Sequence, residues 1–334
     1  MLTRRRFSAL LLSSAAEAAR KPLLEQWRKI ASDSDGTVGA AALCFRSGER
    51  VSLNGQERFP LASVCKLPIA IRILGMVDEG KLSLNDSIEV LRQDVFSSVS
   101  EIAERWPQQW RFKLDELLQL MIAQSDNTAV QTLFRIGGEE AGMTASFRKW
   151  QVEGVRVDRY EGECNLAAHG VVNAPSPEQW EPGMIQQLIA KVPMESQYAG
   201  MQRFLADPRD TGTPAGTVQL LHRAFRGKLL SAHSTARLVA YLEATETGKG
   251  RLRGLLPAHV VVAHKTGTAG TVKALNGATN DVGVIMASDS DRQFAIAVYI
   301  TASTRGEAAR DRIIAQMARA AYDYWASTSA STSR

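Results

Sequence analysis

The sequence predicts a two-lobed α/β protein in which one antiparallel sheet, flanked by the terminal helices, lies beside an all-helical lobe. Two observations carry this prediction: strand patterns occur near both ends of the 334-residue chain, and helical periodicity fills its middle. The economical packing joins both ends in one sheet and places the middle helices beside it. We therefore expect a discontinuous α/β lobe, 19–60 with 241–326, and a helical lobe over 61–240.

The first half of the chain contains elements of both kinds. Apolar side chains recur at helical spacing over 23–30. Two apolar runs read as strands joined by a turn: 38–45 and 51–53. Ser63 begins a second helix that runs to about Val77, with Pro68 in its first turn, where the missing N–H costs little. A third helix ends before Ser125, because apolar residues recur along one face: Leu114, Leu117, Leu118, Met121 and Ile122.

The second half ends with strands and a helix. A helix is predicted over 235–244, and the apolar run 260–263 reads as a buried strand that leads into Lys265. Two further strands form a hairpin with an acidic turn: 281–287, 289–291 and 294–301. A final amphipathic helix is predicted over 307–325. We expect the Ser/Thr-rich tail 327–334 to be disordered.

The N-terminus has the composition of an export signal. Arg4, Arg5 and Arg6 precede a short run of apolar and small residues, which ends at a small-x-small cleavage site before Ala19. This order resembles a twin-arginine signal peptide over 1–18 and predicts a periplasmic or secreted protein. A basic, frayed N-terminal tail is the alternative interpretation.

Bulk properties exclude several function classes. The chain is 45% hydrophobic and 22% charged, with a formal net charge of +5. Loss of residues 1–18 would remove three arginines and one glutamate and leave a charge of +3. So mild a charge, without a basic-aromatic module, argues against a nucleic-acid partner. No apolar stretch reaches the ~18 residues of a membrane helix, so we expect no stable membrane anchor, and we expect a monomer.

The cysteines and histidines do not follow a metal-ligand pattern. Cys44, Cys65 and Cys164 fit no metal spacing, and we interpret them as inert buried thiols, although export would permit one disulfide. We therefore expect no metal and no cofactor. His264 precedes Lys265, but neighbouring strand residues point to opposite faces, so we interpret His264 as structural.

The strongest chemical signal is a serine and a lysine three residues apart at the start of a helix, Ser63 and Lys66. Residues at this spacing share one helical face, so the amine can reach the hydroxyl. A serine hydroxyl needs a neighbouring base to become a good nucleophile, and a lysine that loses its solvation can serve. A helix cap followed by a surface lysine would give the same pattern, so the motif alone is weak.

Two later motifs argue against that alternative. Ser125-Asp126-Asn127 and Lys265-Thr266-Gly267-Thr268 follow Ser63 in the order typical of class A β-lactamases and penicillin-binding proteins. From 35 to 325 the chain resembles class A serine β-lactamases. The resemblance implies the two-lobed β-lactamase/transpeptidase-like fold, with the active site in the groove between the lobes. It also implies a hydrolase of the β-lactam amide, hence antibiotic resistance, with a small-molecule β-lactam as its partner.

The resemblance implies catalytic roles as well. Ser63 would attack the lactam carbonyl, and either Lys66 or Glu161 acting through a water would take its proton. Ser125 would relay a proton to the departing nitrogen. Glu161 and Asn165 match the family's E-x-x-x-N segment and would hold the water that hydrolyses the acyl-enzyme. The alternative is that an acidic loop carries these two residues four apart by chance.

The same resemblance implies a set of substrate-binding residues. The set consists of Phe96, Asn127, Arg251, Lys265, Thr266, Gly267 and Thr268. The backbone N–H groups of Ser63 and Thr268 would form the oxyanion hole. Arg251 would be a second cation for the substrate carboxylate, or alternatively a solvated arginine. Phe96 would be an aromatic gate beside the groove, or alternatively a core residue.

The pattern departs from the family between Glu161 and Asp210. These residues are 49 apart, whereas compact Ω-loops have only ~6–16 residues. We therefore predict an insertion over 167–207, which could be a lid, a docked helix pair or a disordered excursion. If the insertion displaces Glu161, deacylation fails. The alternatives are then a D-Ala-D-Ala peptidase-like hydrolase or a penicillin-binding sensor.

Overall fold

The structure is a computed structural model that describes residues 22–286 and 293–331, with side chains described through Trp325. Its strands are β1 (Thr37–Cys44), β2 (Arg50–Leu53), β3 (Phe59–Pro60), β4 (Ser87–Glu89), β5 (Arg111–Lys113), β6 (Thr211–Gly212), β7 (Val261–Val272), β8 (Leu275–Met286) and β9 (Gln293–Thr301). Five of them form one sheet in the order β2-β1-β9-β8-β7, in which every neighbouring pair is antiparallel.

Helices make up most of the remaining described structure. They are α1 (22–31), α2 (Lys66–Asp78), α3 (Glu101–Arg105), α4 (Leu114–Gln119), α5 (Asn127–Ile136), α6 (Glu139–Trp150), α7 (Glu161–Ala168), α8 (Met184–Ala190), α9 (Met194–Ala206), α10 (Pro214–Phe225), α11 (Ala232–Glu243) and α12 (Glu307–Ser331). A 3₁₀ turn, Ala62–Cys65, leads into α2, and a π-helical turn, Leu120–Gln124, continues α4. No described helix is both long enough and apolar enough to cross a bilayer.

The sheet is buried on both faces, because successive strand residues point to opposite sides. On β1, Ala40 and Ala42 join the core formed with α1 and α12, whereas Ala41 and Leu43 join the core of the helical lobe. Trp27 of α1 also donates its indole N–H to the Met317 carbonyl of α12, at 3.0 Å. Helices α1 and α12 therefore cover the same face of the sheet.

The other face of the sheet meets the helical lobe. Helix α2 lies in the centre of that lobe, and its apolar side chains are buried on all sides, as expected of a helix surrounded by others. Helix α10 packs on the sheet, where Thr217 and Tyr299 share a hydrogen bond of 2.8 Å between their hydroxyl oxygens. The predicted two-lobed architecture is confirmed.

Several boundaries differ from the predictions. β7 and β8 are each twelve residues long, so the sheet extends well beyond the predicted strand 260–263. The predicted turn 289–291 and signal 1–18 lie outside the described residues. Helix α12 continues to Ser331, where we expected a disordered tail from 327, because each added residue gains one more backbone hydrogen bond.

The insertion 167–207 forms a pair of helices, α8 and α9, rather than a disordered excursion. Helix α9 docks against the end of α7 through two glycines. A Cβ on Gly200 would lie 2.3 Å from the backbone of Gly170. Met201 and Phe204 of α9 form a small separate core with Ala168 and Val272. The insertion therefore joins α7 to the far end of β7.

Candidate active site

The nucleophile candidate Ser63 lies in the 3₁₀ turn just before α2. It is partly exposed, whereas Val64 and Lys66 beside it are buried. Ala62 precedes it with a φ of 46°, a region that costs most residues other than glycine free energy. Gly267 of β7 approaches this turn closely, since a Cβ there would lie 2.6 Å from the Leu61 carbonyl oxygen. The sheet edge and the nucleophile turn are therefore pressed together.

Lys66 is fully buried beneath this turn. Its Nζ donates to the Ser125 carbonyl at 2.7 Å and to Asn127 Oδ1 at 2.7 Å, and lies 3.1 Å from Ser125 Oγ. Ser63 Oγ is not among the hydrogen-bond partners of Lys66 in the described residues, so the expected direct pair is not formed. Burial lowers the pKa of Lys66, which favours the neutral amine that a base requires.

Ser125 links two buried lysines. It follows the π-helical turn with a φ of 63°, and its Oγ lies 3.1 Å from Lys66 Nζ and 3.0 Å from Lys265 Nζ. Burial, and next the charge of Lys66, lower the pKa of Lys265 to about 7. A hydroxyl held between two amines with lowered pKa values can receive a proton from one side and pass one on.

Glu161 and Asn165 lie on the opposite wall of the cleft, on α7. Asn165 Nδ2 donates to Glu161 Oε1 at 3.2 Å. The N-terminal end of this helix is fixed by Asp210, which accepts a hydrogen bond from Arg159 Nε at 2.6 Å and one from the backbone N–H of Asp158 at 2.7 Å. Although Asp210 lies 49 residues after Glu161, it still closes the segment that carries Glu161.

One cleft of about 450 Å³ brings together most of the predicted site residues. Its lining includes Ser63, Phe96, Ser125, Asn127, Glu161, Asn165, Arg251, Thr266 and Thr268. Lys66, Lys265 and Gly267 lie directly behind that lining, through the contacts described above. Among the described residues, no group of three or more histidine, cysteine or acidic side chains is arranged to hold a metal ion.

Comparison with known proteins identifies the family to which this cleft belongs. The model of the β-lactamase enzyme family matches residues 22–325. This chain belongs to that β-lactamase family. It is 30% identical to the extended-spectrum β-lactamase PER-1 of Pseudomonas aeruginosa, over 93% of this chain and 90% of PER-1. It is 26% identical to the β-lactamase VEB-1 of the same organism, over 86% and 85% of the two chains.

Solved structures agree with the family assignment. A β-lactamase from Chitinophaga pinensis superposes with a TM-score of 0.75 at 31% identity, over 90% of this chain and 98% of the other. A reconstructed ancestral class A β-lactamase of Gram-negative bacteria gives a TM-score of 0.73 at 33% identity, over 90% and 99%. The resemblance to class A serine β-lactamases is thereby confirmed, and the protein is a hydrolase of the β-lactam amide bond.

In this β-lactamase, Arg251 is not a solvated arginine. Its side chain is only 4% exposed, its Nη2 donates to Thr268 Oγ1 at 2.9 Å, and its Nη1 donates to the Gly267 carbonyl at 3.2 Å. Its Nε donates to Asp311 at 2.8 Å. The guanidinium therefore lies against the sheet edge formed by Gly267 and Thr268, where it lines the cleft.

Phe96, in contrast, is not an exposed gate. It borders the cleft but is 3% exposed and packs in the core of the helical lobe. The exposed apolar side chain at this rim is Val99, which is 63% exposed. Its φ of 52° is unusual for a β-branched residue, and its carbonyl accepts the Asn127 backbone N–H at 2.9 Å. Valine rarely adopts a positive φ, so nothing in the sequence predicts that Val99 is exposed at the rim.

A second cavity of about 70 Å³ lies behind Glu161 and shares Glu161, Asn165 and Thr268 with the cleft. Phe204 of the insertion forms part of its wall. Cys65 and Cys164 also line it as free thiols, and burial raises the pKa of both. Thiols with raised pKa values are poor nucleophiles, in keeping with the interpretation that these cysteines are inert.

Proposed function

We propose that this β-lactamase acts through an acyl-enzyme on Ser63, which Glu161 helps to hydrolyse. The observation that carries the proposal is that Ser63, Glu161 and Asn165 line one cleft, with Glu161 and Asn165 joined by a hydrogen bond of 3.2 Å. A carboxylate and an amide on the wall facing the nucleophile can hold a water against an ester carbonyl. This arrangement favours hydrolysis over a lasting adduct.

In the acylation step, Ser63 attacks the lactam carbonyl and its proton passes to a base. Lys66 is a suitable base, because burial lowers the pKa of its amine and the residue directly follows the nucleophile turn. Its present hydrogen bonds to Ser125 and Asn127 hold it away from Ser63 Oγ, so it must shift slightly, or Glu161 must act through a water. Either path forms the Ser63–carbonyl bond and breaks the lactam C–N bond.

The remaining roles are those that the family resemblance implies, and the geometry of the cleft supports them. Ser125 Oγ, between Lys66 and Lys265, protonates the departing lactam nitrogen. The backbone N–H groups of Ser63 and Thr268 stabilise the oxyanion, an effect worth about 3 kcal/mol per donor. Lys265, Thr266, Thr268 and Arg251 hold the substrate carboxylate. Asn127 contacts the acylamide side chain, and Gly267 provides the close approach of β7 to the nucleophile turn.

We also propose that the mature enzyme acts in the periplasm or outside the cell, exported through the twin-arginine route. The support is the sequence of the first 18 residues, with Arg4, Arg5 and Arg6 before a small-x-small site. The intact mass of the enzyme recovered from the periplasm tests this proposal, because cleavage at the predicted site leaves Ala19 as the first residue. A mass that still includes 1–18 contradicts it.

The deciding experiment is an intact-mass time course of the purified enzyme with benzylpenicillin and a chromogenic cephalosporin. We expect product to form with no lasting adduct on wild-type enzyme. Glu161→Gln, which keeps the shape of the side chain, should acylate but deacylate about 10²–10⁴-fold more slowly and accumulate a stoichiometric adduct on Ser63. A wild-type adduct that persists for hours would favour the penicillin-binding sensor instead. Unchanged turnover in Glu161→Gln would remove Glu161 from the mechanism.

A further inference from the structure

A buried histidine–aspartate pair lies on the strands that carry the sheet edge of the active site. His264 Nδ1 lies 2.9 Å from each carboxylate oxygen of Asp281, and both side chains are completely buried. His264 precedes Lys265 on β7, and Asp281 on β8 is paired with Thr266. The pair and the Lys265 side chain therefore occupy opposite faces of the sheet.

Asp281 also holds the segment that carries Arg251. Its Oδ2 accepts the backbone N–H of Leu252 at 3.1 Å, one residue after Arg251. Arg251 Nη1 donates to the carbonyl of Asn280, one residue before Asp281, at 3.0 Å. The backbone next to Arg251 is thus bonded to Asp281, and its guanidinium to the neighbouring residue Asn280 on β8.

Stability alone does not account for this pair. Its second ring nitrogen, His264 Nε2, is buried without a hydrogen-bond partner in the described part of the chain, which is unfavourable. The strand opposite also adapts to the histidine, because a Cβ on Gly283 would lie 2.7 Å from His264 Cβ and 2.3 Å from the Ala263 carbonyl oxygen. A well-packed apolar pair would avoid the unpaired nitrogen.

We propose that Asp281, oriented by His264, is a positioning residue for the two cations that bind the substrate carboxylate, Lys265 and Arg251. The inference rests on the proposed role of those two cations. Asp281 does not touch the substrate. It fixes the segment of Arg251 by hydrogen bonds and supplies a negative charge close to Lys265.

The charges around Lys265 determine the direction in which loss of Asp281 would shift the pKa of Lys265. Burial and then Lys66 lower the pKa of Lys265, and Arg251 lowers it further, whereas the Asp281 carboxylate raises it. Cys65 would raise it only as a thiolate, and burial keeps that thiol protonated near pH 7. With that pKa at about 7, the charged amine is lost as the pH rises through 7. Removal of the Asp281 charge lowers the pKa of Lys265 further, so carboxylate binding is lost at a lower pH.

The test compares benzylpenicillin with its methyl ester, which lacks the carboxylate, in wild type and Asp281→Asn. We expect Asp281→Asn to raise KM for the acid about tenfold at pH 7.5, with little change in kcat and little change for the ester. The alkaline limb of the kcat/KM profile should move to lower pH. Asp281→Glu, which restores the charge, should return the limb towards its wild-type position.

A matched control separates charge from anchoring. Asp311→Asn removes a carboxylate that accepts a hydrogen bond from Arg251 itself. Asp311 is not among the charges that shift the pKa of Lys265, so this variant should raise KM without moving the limb. Equal losses for acid and ester in Asp281→Asn, with an unmoved limb, would overturn the inference. If Asp281→Asn does not fold, His264→Asn replaces it in the same measurements. We then expect a smaller rise in KM for the acid and a smaller shift of the alkaline limb. Wild-type enzyme that handles acid and ester equally would instead contradict the proposed carboxylate site.

Discussion

The two walls of the active-site cleft are held in different ways. The proposed acylating wall, with Ser63 and Lys66, leads into helix α2, which lies in the middle of the large core of the helical lobe. The proposed deacylating wall, with Glu161, is a helix of eight residues. Its N-terminal end is fixed by the Arg159–Asp210 ion pair and its C-terminal end by the small core shared with the insertion.

The difference indicates that the two chemical steps depend on different parts of the molecule. Because α2 packs throughout the large core, we expect damage to that core to lower the stability of the whole helical lobe. Damage to the ion pair or to the insertion would move Glu161 while leaving the nucleophile in place. A positioned base loses about 100-fold in rate for a shift of ~1 Å, so deacylation should be the more fragile step.

The largest expected effect comes from the acylating wall. Ser63→Ala removes the atom that forms the acyl bond, so both steps should disappear, with turnover reduced at least about 10⁴-fold. Steady-state hydrolysis and intact mass after addition of benzylpenicillin check this. Thermal unfolding should be almost unchanged, since Ser63 is partly exposed. An adduct on another residue, or hydrolysis at the wild-type rate, would refute the assignment of the nucleophile.

The deacylating wall should respond with a step-specific loss. Asp210→Asn removes the charge that accepts hydrogen bonds from Arg159 and from two backbone N–H groups. We expect stability to fall by about 3 kcal/mol and deacylation to slow about 10–100-fold, with acylation changed much less. Urea denaturation measures the loss of stability, and burst-phase kinetics measure the rates of acylation and deacylation. Equal slowing of both steps would mean that the two walls are not independent.

The smallest effect tests how the insertion is docked. Gly200→Ala should lower stability by about 1–3 kcal/mol, because its Cβ would meet Gly170 at 2.3 Å, although alanine normally stabilises a helix relative to glycine. Gly75→Ala in α2 is the matched control. The nearest atom to its Cβ would be 4.0 Å away, so it should stabilise by about 0.5–1 kcal/mol. If both substitutions stabilise, α9 is not docked through these glycines.

The sequence allowed good prediction where chemistry or periodicity is local. The three motifs around Ser63, Ser125 and Lys265 predicted residues that the fold brings to one cleft, and apolar spacing located α2, α4 and the hairpin of β8 and β9. The sequence left alternatives open where packing chooses between equal patterns. Phe96 is buried and Val99 exposed, yet both are apolar residues beside a serine pair.

The sequence by itself determined the reaction class, because serine, lysine and glutamate chemistry requires those residue types in recognisable order. The tertiary structure alone decided the surroundings of those residues. It joined Arg159, just before the Glu161 helix, to Asp210 across the insertion, placed Arg251 against Thr268, and buried His264 beside Asp281. Such contacts join residues far apart in the chain, and their energies depend on burial and distance, which no local pattern encodes.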